Sequence, residues 1–244
     1  MIRIDATGLH YKVLNDKIKE LVNTGCDELF IKNVCGHRYI GSGLQGKNVK
    51  IMLEGIPGND LGIFIDGPEI VIKNNVQDGT GNTMNSGRII VYGNAGDITG
   101  HSMRGGEIFI RGDAGYRTGI HMKEYKDMHP VIVIGGSAGD FLGEYMAGGI
   151  IILLGMTDKQ RIGDYIGTGM HGGVIYVGEN LLTDRFISGK EVKIFDLDNH
   201  DMEKINPYLK RFMLYYSISE NEIPKRFYKI VPVTKRPYGK IYAY

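Results

Sequence analysis

The stretch GRIIVYGNAGDITGHSMRGGEIFIRG, residues 87–112, states one pattern twice. A glycine opens a four-residue run of large apolar, mostly β-branched side chains, a second glycine closes it, and a short polar segment ending in glycine leads to the next run. Outward from this stretch the runs align on one isoleucine each: Ile51, Ile70, Ile89, Ile108, Ile132, Ile151 and Ile175. The steps are 19, 19, 19, 24, 19 and 24 residues. A constant step twice lengthened by five is an internal repeat with insertions, here in His121–His129 and Met156–Ile162.

Runs of four residues cannot bury an apolar face alone, and hairpins would need turn-linked antiparallel partners of matched length. Stacking removes the difficulty. If each repeat makes one coil, every run pairs in parallel with its equivalent one coil away, about 4.8 Å distant, and like side chains form internal ladders. The reading is therefore a mainly β chain: a single-stranded, right-handed parallel β-helix of about seven coils of roughly 19 residues. A sandwich or barrel of short strands is the rival, and the recurrence of whole hexapeptides (AGDITG, AGYRTG, AGDFLG, IGDYIG) disfavours it.

The 36 glycines among 244 residues are about twice the ordinary share of roughly 7%. Gly87, Gly106, Gly149 and Gly173 recur just before runs, and Gly79, Gly81, Gly167 and Gly169 form Gly-Thr-Gly corners. All eight read as structural turn glycines, with φ > 0 expected at Gly106, Gly149 and Gly173. Asp97, Asp113, Asp140 and Asp164 at coil corners are expected to accept hydrogen bonds from turn amides.

An open stack exposes unpaired edges, so helical caps are expected at both termini. Leu14, Ile18, Leu21 and Val22 stand at helical spacing before Gly25, and Asn206 reads as an N-cap with Pro207 at the first helical position. The divisions are then 1–35, strand and helix cap; 36–198, β-helix; 199–244, helix and extended tail. Whether the tail lies on its own stack or on a partner stays open.

Charge narrows the partners. With 29 Lys plus Arg against 28 Asp plus Glu, the net charge of +1 gives no field for nucleic acid or an anionic membrane. No apolar stretch nears the roughly 20 residues of a membrane span, and the chain reads as cytoplasmic. Cys26 and Cys35 cannot form a disulfide framework and read as reduced packing residues.

The quoted segments are also familiar as a set. GTGNTMNSGRIIVYGNAGD at 79–97, GGEIFIRGDAG at 105–115 and GTGMHGG at 167–173 resemble the GXGXG domain at the carboxyl end of the glutamate synthase large subunit. IDATGLHYKVLNDKIKEL near the start, NVCGHRYIGSGL at 33–44 and the ending FYKIVPVTKRPYGKIYAY look like its stand-alone version. The resemblance covers nearly the whole chain. It implies a right-handed β-helix that holds a glutamine amidotransferase subunit and an FMN/iron-sulfur synthase subunit in register, with FMN and the cluster on those partners. Self-association is also open. Formylmethanofuran dehydrogenase has a subunit with a similar β-helix, which offers an alternative scaffold role.

Chemical signals within the chain are weak. Gly-Thr-Gly is followed by another short run, whereas a dinucleotide fingerprint needs a long helix there. Corner aspartates suggest β-helix polysaccharide enzymes, yet Tyr116 interrupts the row of Asp97 and Asp140, so structural turns are the better reading. His101, His121, His129 and His171 lack metal-ligand spacing. No catalytic, cofactor-binding or metal-ligating residue is assigned.

Overall fold

The computed structural model describes residues 1–157, 161–182 and 187–234. Strands β1 (Ile2–Asp5), β2 (Glu28–Cys35), β3 (Lys50–Ile56), β4 (Asp66–Ile72) and β5 (Ser86–Val91) lie side by side in chain order. The order continues through β6 (Glu107–Ile110), β7 (Val131–Ile134), β8 (Ala147–Leu153) and β9 (Gly172–Gly178). Each strand is parallel to the next. This is the right-handed parallel β-helix read from the repeat.

Its register is that of the repeat. Ile51 pairs with Ile70, then Ile89, Ile108, Ile132, Ile151 and Ile175, all fully buried. The longer steps leave the ladder unchanged, because the extra residues are accommodated outside the strands and the inward side chains keep their partners. β1 and β2 carry the ladder further than the repeat suggested: Leu29 pairs with Ile51, and Ile2 with Leu29.

Further inward rows run parallel to the isoleucines. One is Ala95, Ala114 and Ala138, joined by parallel bridges. Another is Met84, Met103, Met122, Met146 and Met170, all wholly buried. Unbranched methionine fills the space between coils that differ slightly in shape. A third row holds Leu61, Thr80, Thr99, Thr118, Leu142 and Ile166. Its threonines are compatible with a dry interior because each hydroxyl donates to a carbonyl three residues back, Thr99 to Gly96 O at 3.0 Å for example.

The two helices take different places. Helix α1 (Tyr11–Asn23) begins at His10, whose Nδ1 accepts from the Lys12 amide, and turns Leu14 and Ile18 into the same core as Ile4 and Leu29. It closes the first coil, as a cap should. Helix α2 (Asn199–Tyr216) starts earlier than Asn206: Asp198 is the N-cap, in a reciprocal capping box with Asp201, and Pro207 lies inside the helix. The box satisfies two amides at the true start, which outweighs the weaker signal of Asn-Pro further on.

Nor does α2 cover the end of the stack. It lies along the outer face, where Ile205, Leu209, Phe212 and Tyr216 form a second core with the outward residues Ile90, Phe109, Val133, Ile152 and Tyr176. The Tyr216 hydroxyl donates to Val91 O at 2.9 Å and Tyr92 to Tyr215 O at 2.8 Å, which fixes the docking. The end of the stack is met instead by β11 (Phe227–Pro232), antiparallel to both β9 and β10 (Val192–Asp196). Ile230 pairs with Ile175 there and is wholly buried. The tail from Phe227 to Thr234 therefore begins on its own stack; Arg236, Tyr238, Tyr242 and Tyr244 lie outside the described residues.

Candidate functional site

The turn glycines fall into two sets. Gly79, Gly81, Gly167 and Gly169 have φ between 68° and 70° and sit at one outer corner of the stack. Gly87, Gly106, Gly149 and Gly173 have φ of 94°, 81°, 90° and 77° at the entry to β5, β6, β8 and β9. The second set differs from its sequence reading in one respect: three of the four lie inside the observed strands, and pairing shifts beside them, between Asp66 and Glu69 and between Ala147 and Ile150. Gly149 belongs to a bulge of β8 that Gly173 faces, and Gly87 faces the corresponding bulge of β4 at Gly67 and Pro68. At Gly81 a Cβ would lie 2.4 Å from Ile108 Cδ1, and at Gly106 one would lie 2.5 Å from Met84 Cε, so both are also steric requirements of the packed interior.

The outer corner has a regular geometry that the sequence reading did not include. In each coil the position before the interior Ile, Leu or Thr and another four residues on have left-handed backbone. The first row is Tyr39, Asp60, Gly79, Ile98, Arg117, Phe141 and Tyr165, with φ from 49° to 70°. The second is Gly43, Phe64, Thr83, Ser102, His121, Tyr145 and Gly169, with φ from 51° to 68°. The cause is the stack itself. Left-handed backbone turns each amide along the axis, where it donates to the next coil: Ile98 to Tyr116 O at 2.8 Å, Phe141 to Asp164 O at 2.9 Å, Tyr145 to Thr168 O at 2.8 Å. These bonds offset a conformational cost of roughly 1–2 kcal/mol for each non-glycine residue.

Three of the four corner aspartates likewise accept from amides of the next coil. Asp97 Oδ1 accepts from the Tyr116 amide, Asp113 Oδ1 from Ser137, and Asp140 Oδ1 from Asp164, each at 2.9 Å. Asn75 and Asn94 do the same at 2.8 Å. Aromatic rings stack beside them: His121 on Tyr145 and Phe141 on Tyr165, both with centroids 5.2 Å apart. The signal for these rings was a side chain recurring at a fixed repeat position outside the apolar runs.

The histidines are dispersed over this surface. His101 lies 3.2 Å from Asn82 Oδ1 and 6.1 Å from the His121 ring, and burial followed by the nearby His121 holds its pKa below the ordinary value. His129 faces Glu124 at 3.4 Å, and His171 Nδ1 contacts Gly169 O. Among the described residues no three His, Cys, Asp or Glu side chains stand together as metal ligands. Cys26 and Cys35 are unpaired thiols, Cys35 exposed. A hollow of about 760 Å³ lies between the β1–α1 connection and the end of β2. His37 at its edge accepts from Cys35 N and donates to Leu9 O, so both its nitrogens serve the fold.

On the wall, Lys50, Glu69, Arg88, Glu107 and Arg211 form a continuous ion-pair row with contacts of 2.7–3.3 Å. Arg211 comes from α2, so the row also fastens the flank helix. A second fastener is Asp201, which accepts from Tyr176 at 2.9 Å and pairs with Lys229. Burial opposes its charge, but Lys229, the Asp198 amide and Tyr176 prevail and hold the carboxyl below its usual range.

The geometry thus repeats one corner and one wall from coil to coil, and a family model tests that repeat directly: the GXGXG motif model matches residues 17–235. The chain belongs to the GXGXG family. An uncharacterized protein of Methanocaldococcus jannaschii, MJ1350, is 47% identical over 251 residues, covering 98% of this chain and 95% of that one. Among solved structures, the formyltransferase/hydrolase complex FhcABCD from Methylorubrum extorquens with methylofuran contains a similar chain at 22% identity. That match covers 86% of this chain and 83% of the other at a TM-score of 0.49. No helix among the described residues is long and apolar enough to cross a membrane.

Proposed function

We propose that this GXGXG chain is a non-catalytic structural and assembly subunit of a glutamate-synthase-like oxidoreductase in the cytoplasm, serving glutamate biosynthesis and nitrogen metabolism. It holds a glutamine amidotransferase subunit and an FMN/iron-sulfur synthase subunit in register; FMN and the cluster reside on the latter. The observation that carries the reading is the family match across residues 17–235. The mechanics fit a spacer. Nine parallel strands at about 4.8 Å span roughly 40 Å, and every coil is tied to the next through wall, corner amides and Asx side chains. Such a body fixes a distance between partners without bending.

The test is reconstitution with the amidotransferase and flavoprotein companions, measuring glutamine-dependent glutamate formation. Omitting the chain is expected to lower that rate at least tenfold while ammonia-dependent synthesis by the flavoprotein continues. Companions working at full rate without the chain, or turnover of substrate by the chain alone, would overturn the proposal.

A further inference from the structure

The two ends of the stack are finished differently. At the far end Ile230 of β11 pairs with Ile175, whereas β1 at the near end pairs only with β2 among the described residues. Ile2 stands at the head of the isoleucine row, opposite Leu29, and is 40% exposed, while every rung from Leu29 to Ile175 is fully buried. Helix α1 covers the neighbouring Ile4 with Leu14 and Ile18 and leaves Ile2 open. The edge is open in its backbone as well. Ala6 N donates to Lys32 O, and the direction of the backbone groups alternates along a strand. Ile2 and Ile4 are therefore turned to β2, and Arg3 and Asp5 present their N–H and C=O groups outward. Such an edge is a template for another strand.

The strand that fits this edge is a second β1. Arg3 and Asp5 share the outer face of the strand, and among the described residues the Arg3 guanidinium pairs with no carboxylate, lying 5.8 Å from the Phe30 ring centroid. An antiparallel pair of identical strands is symmetric about one residue. Symmetry about Arg3 sets Arg3 against Arg3, and symmetry about Asp5 sets Asp5 against Asp5, each a like-charge contact. Symmetry about Ile4 sets Arg3 of each copy against Asp5 of the other. In that register both pairs are of the hydrogen-bonded kind, so every outward backbone group of Arg3 and Asp5 is satisfied, and Ile2 comes to lie opposite Ala6 of the second copy. Asp5 is already held in place: Oδ1 accepts from Thr7 and Asn33, and Oδ2 lies 3.0 Å from Lys32 Nζ. The opposite edge lacks this self-complementarity. On β10 Lys193 and Asp196 are three positions apart and so lie on opposite faces, and no symmetric pairing opposes them.

We infer that two copies of the chain join end to end by antiparallel pairing of β1 about Ile4, with Arg3 of each copy opposite Asp5 of the other. The contact is isologous and closed, so it makes a dimer and stops, and it merges the two walls into one sheet. It does not depend on the glutamate-synthase role. Four backbone hydrogen bonds and two ion pairs make a small interface, so a dissociation constant on the order of 10–100 μM is expected, rising with salt.

The test is sedimentation equilibrium of the whole chain from about 1 to about 500 μM, a range that brackets the expected constant. The parent should pass from monomer to dimer and go no further. Arg3→Glu breaks no ion pair among the described residues and sets acid against acid across the contact, so it should weaken dimerisation at least tenfold. Asp5→Lys should do the same by setting base against base. An equimolar mixture of these two variants restores opposite charges in both pairs and should form a heterodimer about as tight as the parent dimer, which a merely damaged edge would not do. Lys193→Glu, on the opposite edge, should dimerise as the parent does. Should Asp5→Lys lose its fold with the Thr7, Asn33 and Lys32 contacts, Arg3→Glu measured against the parent decides the matter alone. A parent that stays monomeric throughout the range, a dimer that persists unchanged in Arg3→Glu, a loss equally large in Lys193→Glu, or two folded variants that do not combine would overturn the inference.

Discussion

Two apolar cores lie on opposite sides of the same strands, and they are built by different rules. Inside the stack, Ile89 meets Ile108 and Ile132 because each coil repeats the last. Outside, Ile90, Phe109 and Val133 occupy the alternate positions of those strands, and what covers them is α2, a segment from far along the chain. The inner core needs only neighbouring coils. The outer one needs a helix to return across the wall, held by Tyr216 on Val91, Arg211 on Glu107 and Asp201 on Tyr176 and Lys229. A strand buried on both faces reads as a continuous apolar run rather than an alternating one, as RIIV, EIFI and VIVI do. The difference predicts that damage to the inner core is felt everywhere and damage to the outer core locally.

The largest effect is expected in the inner core. Ile108→Ala should cost about 2–5 kcal/mol in urea unfolding, with strand and helix signals lost together. A separate early transition of α2 would break the idea that the ladder carries the whole molecule.

Leu209→Ala, in the outer core, should cost about 2–3 kcal/mol, the low end for a leucine near the surface of a core. Hydrogen exchange should show α2 amides losing protection while those of β5 to β8 keep theirs. Equal loss in both would mean that the two cores are one cooperative unit.

Asp201→Asn sharpens the outer side further, with an expected cost of about 1–3 kcal/mol at neutral pH from the uncompensated Lys229 and Tyr176 contacts. Because the folded carboxyl titrates below its unfolded value, its contribution is complete above the unfolded pKa of about 4 and fades as the pH falls through the folded one. Parent and variant stabilities should therefore converge in acid; a constant difference from pH 7 to pH 3 would count against this assignment.

The smallest effect belongs inside. Thr99→Val removes a hydroxyl bonded to Gly96 O, yet Leu61, Leu142 and Ile166 fill the same row in other coils. Thermal unfolding should show a loss under about 1.5 kcal/mol. A larger cost would show that the buried threonines are specific fasteners.

The repeat step alone determined the parallel stack, its ladder and the positions of its insertions, because a side chain inside a stack meets its own equivalent one coil away, and spacing along the chain then translates directly into contact. The helix at Leu14 and Ile18 was legible for a similar reason: a short amphipathic segment next to the first coil has only the open end to cover. Other features required the assembled molecule. The place of α2 depends on contacts more than a hundred residues apart, such as Tyr216 with Val91, which no local pattern encodes. The start of that helix at Asp198 rather than Asn206 follows from a capping box whose Asp201 is also fixed by Tyr176 and Lys229. The left-handed corner, with Tyr39, Phe141 and Tyr165 in conformations those residues avoid in isolation, exists because an amide between two coils must point along the axis to be satisfied. That demand arises only once the coils are stacked, so the backbone and ring stacking of the corner aromatics were decided by the tertiary structure.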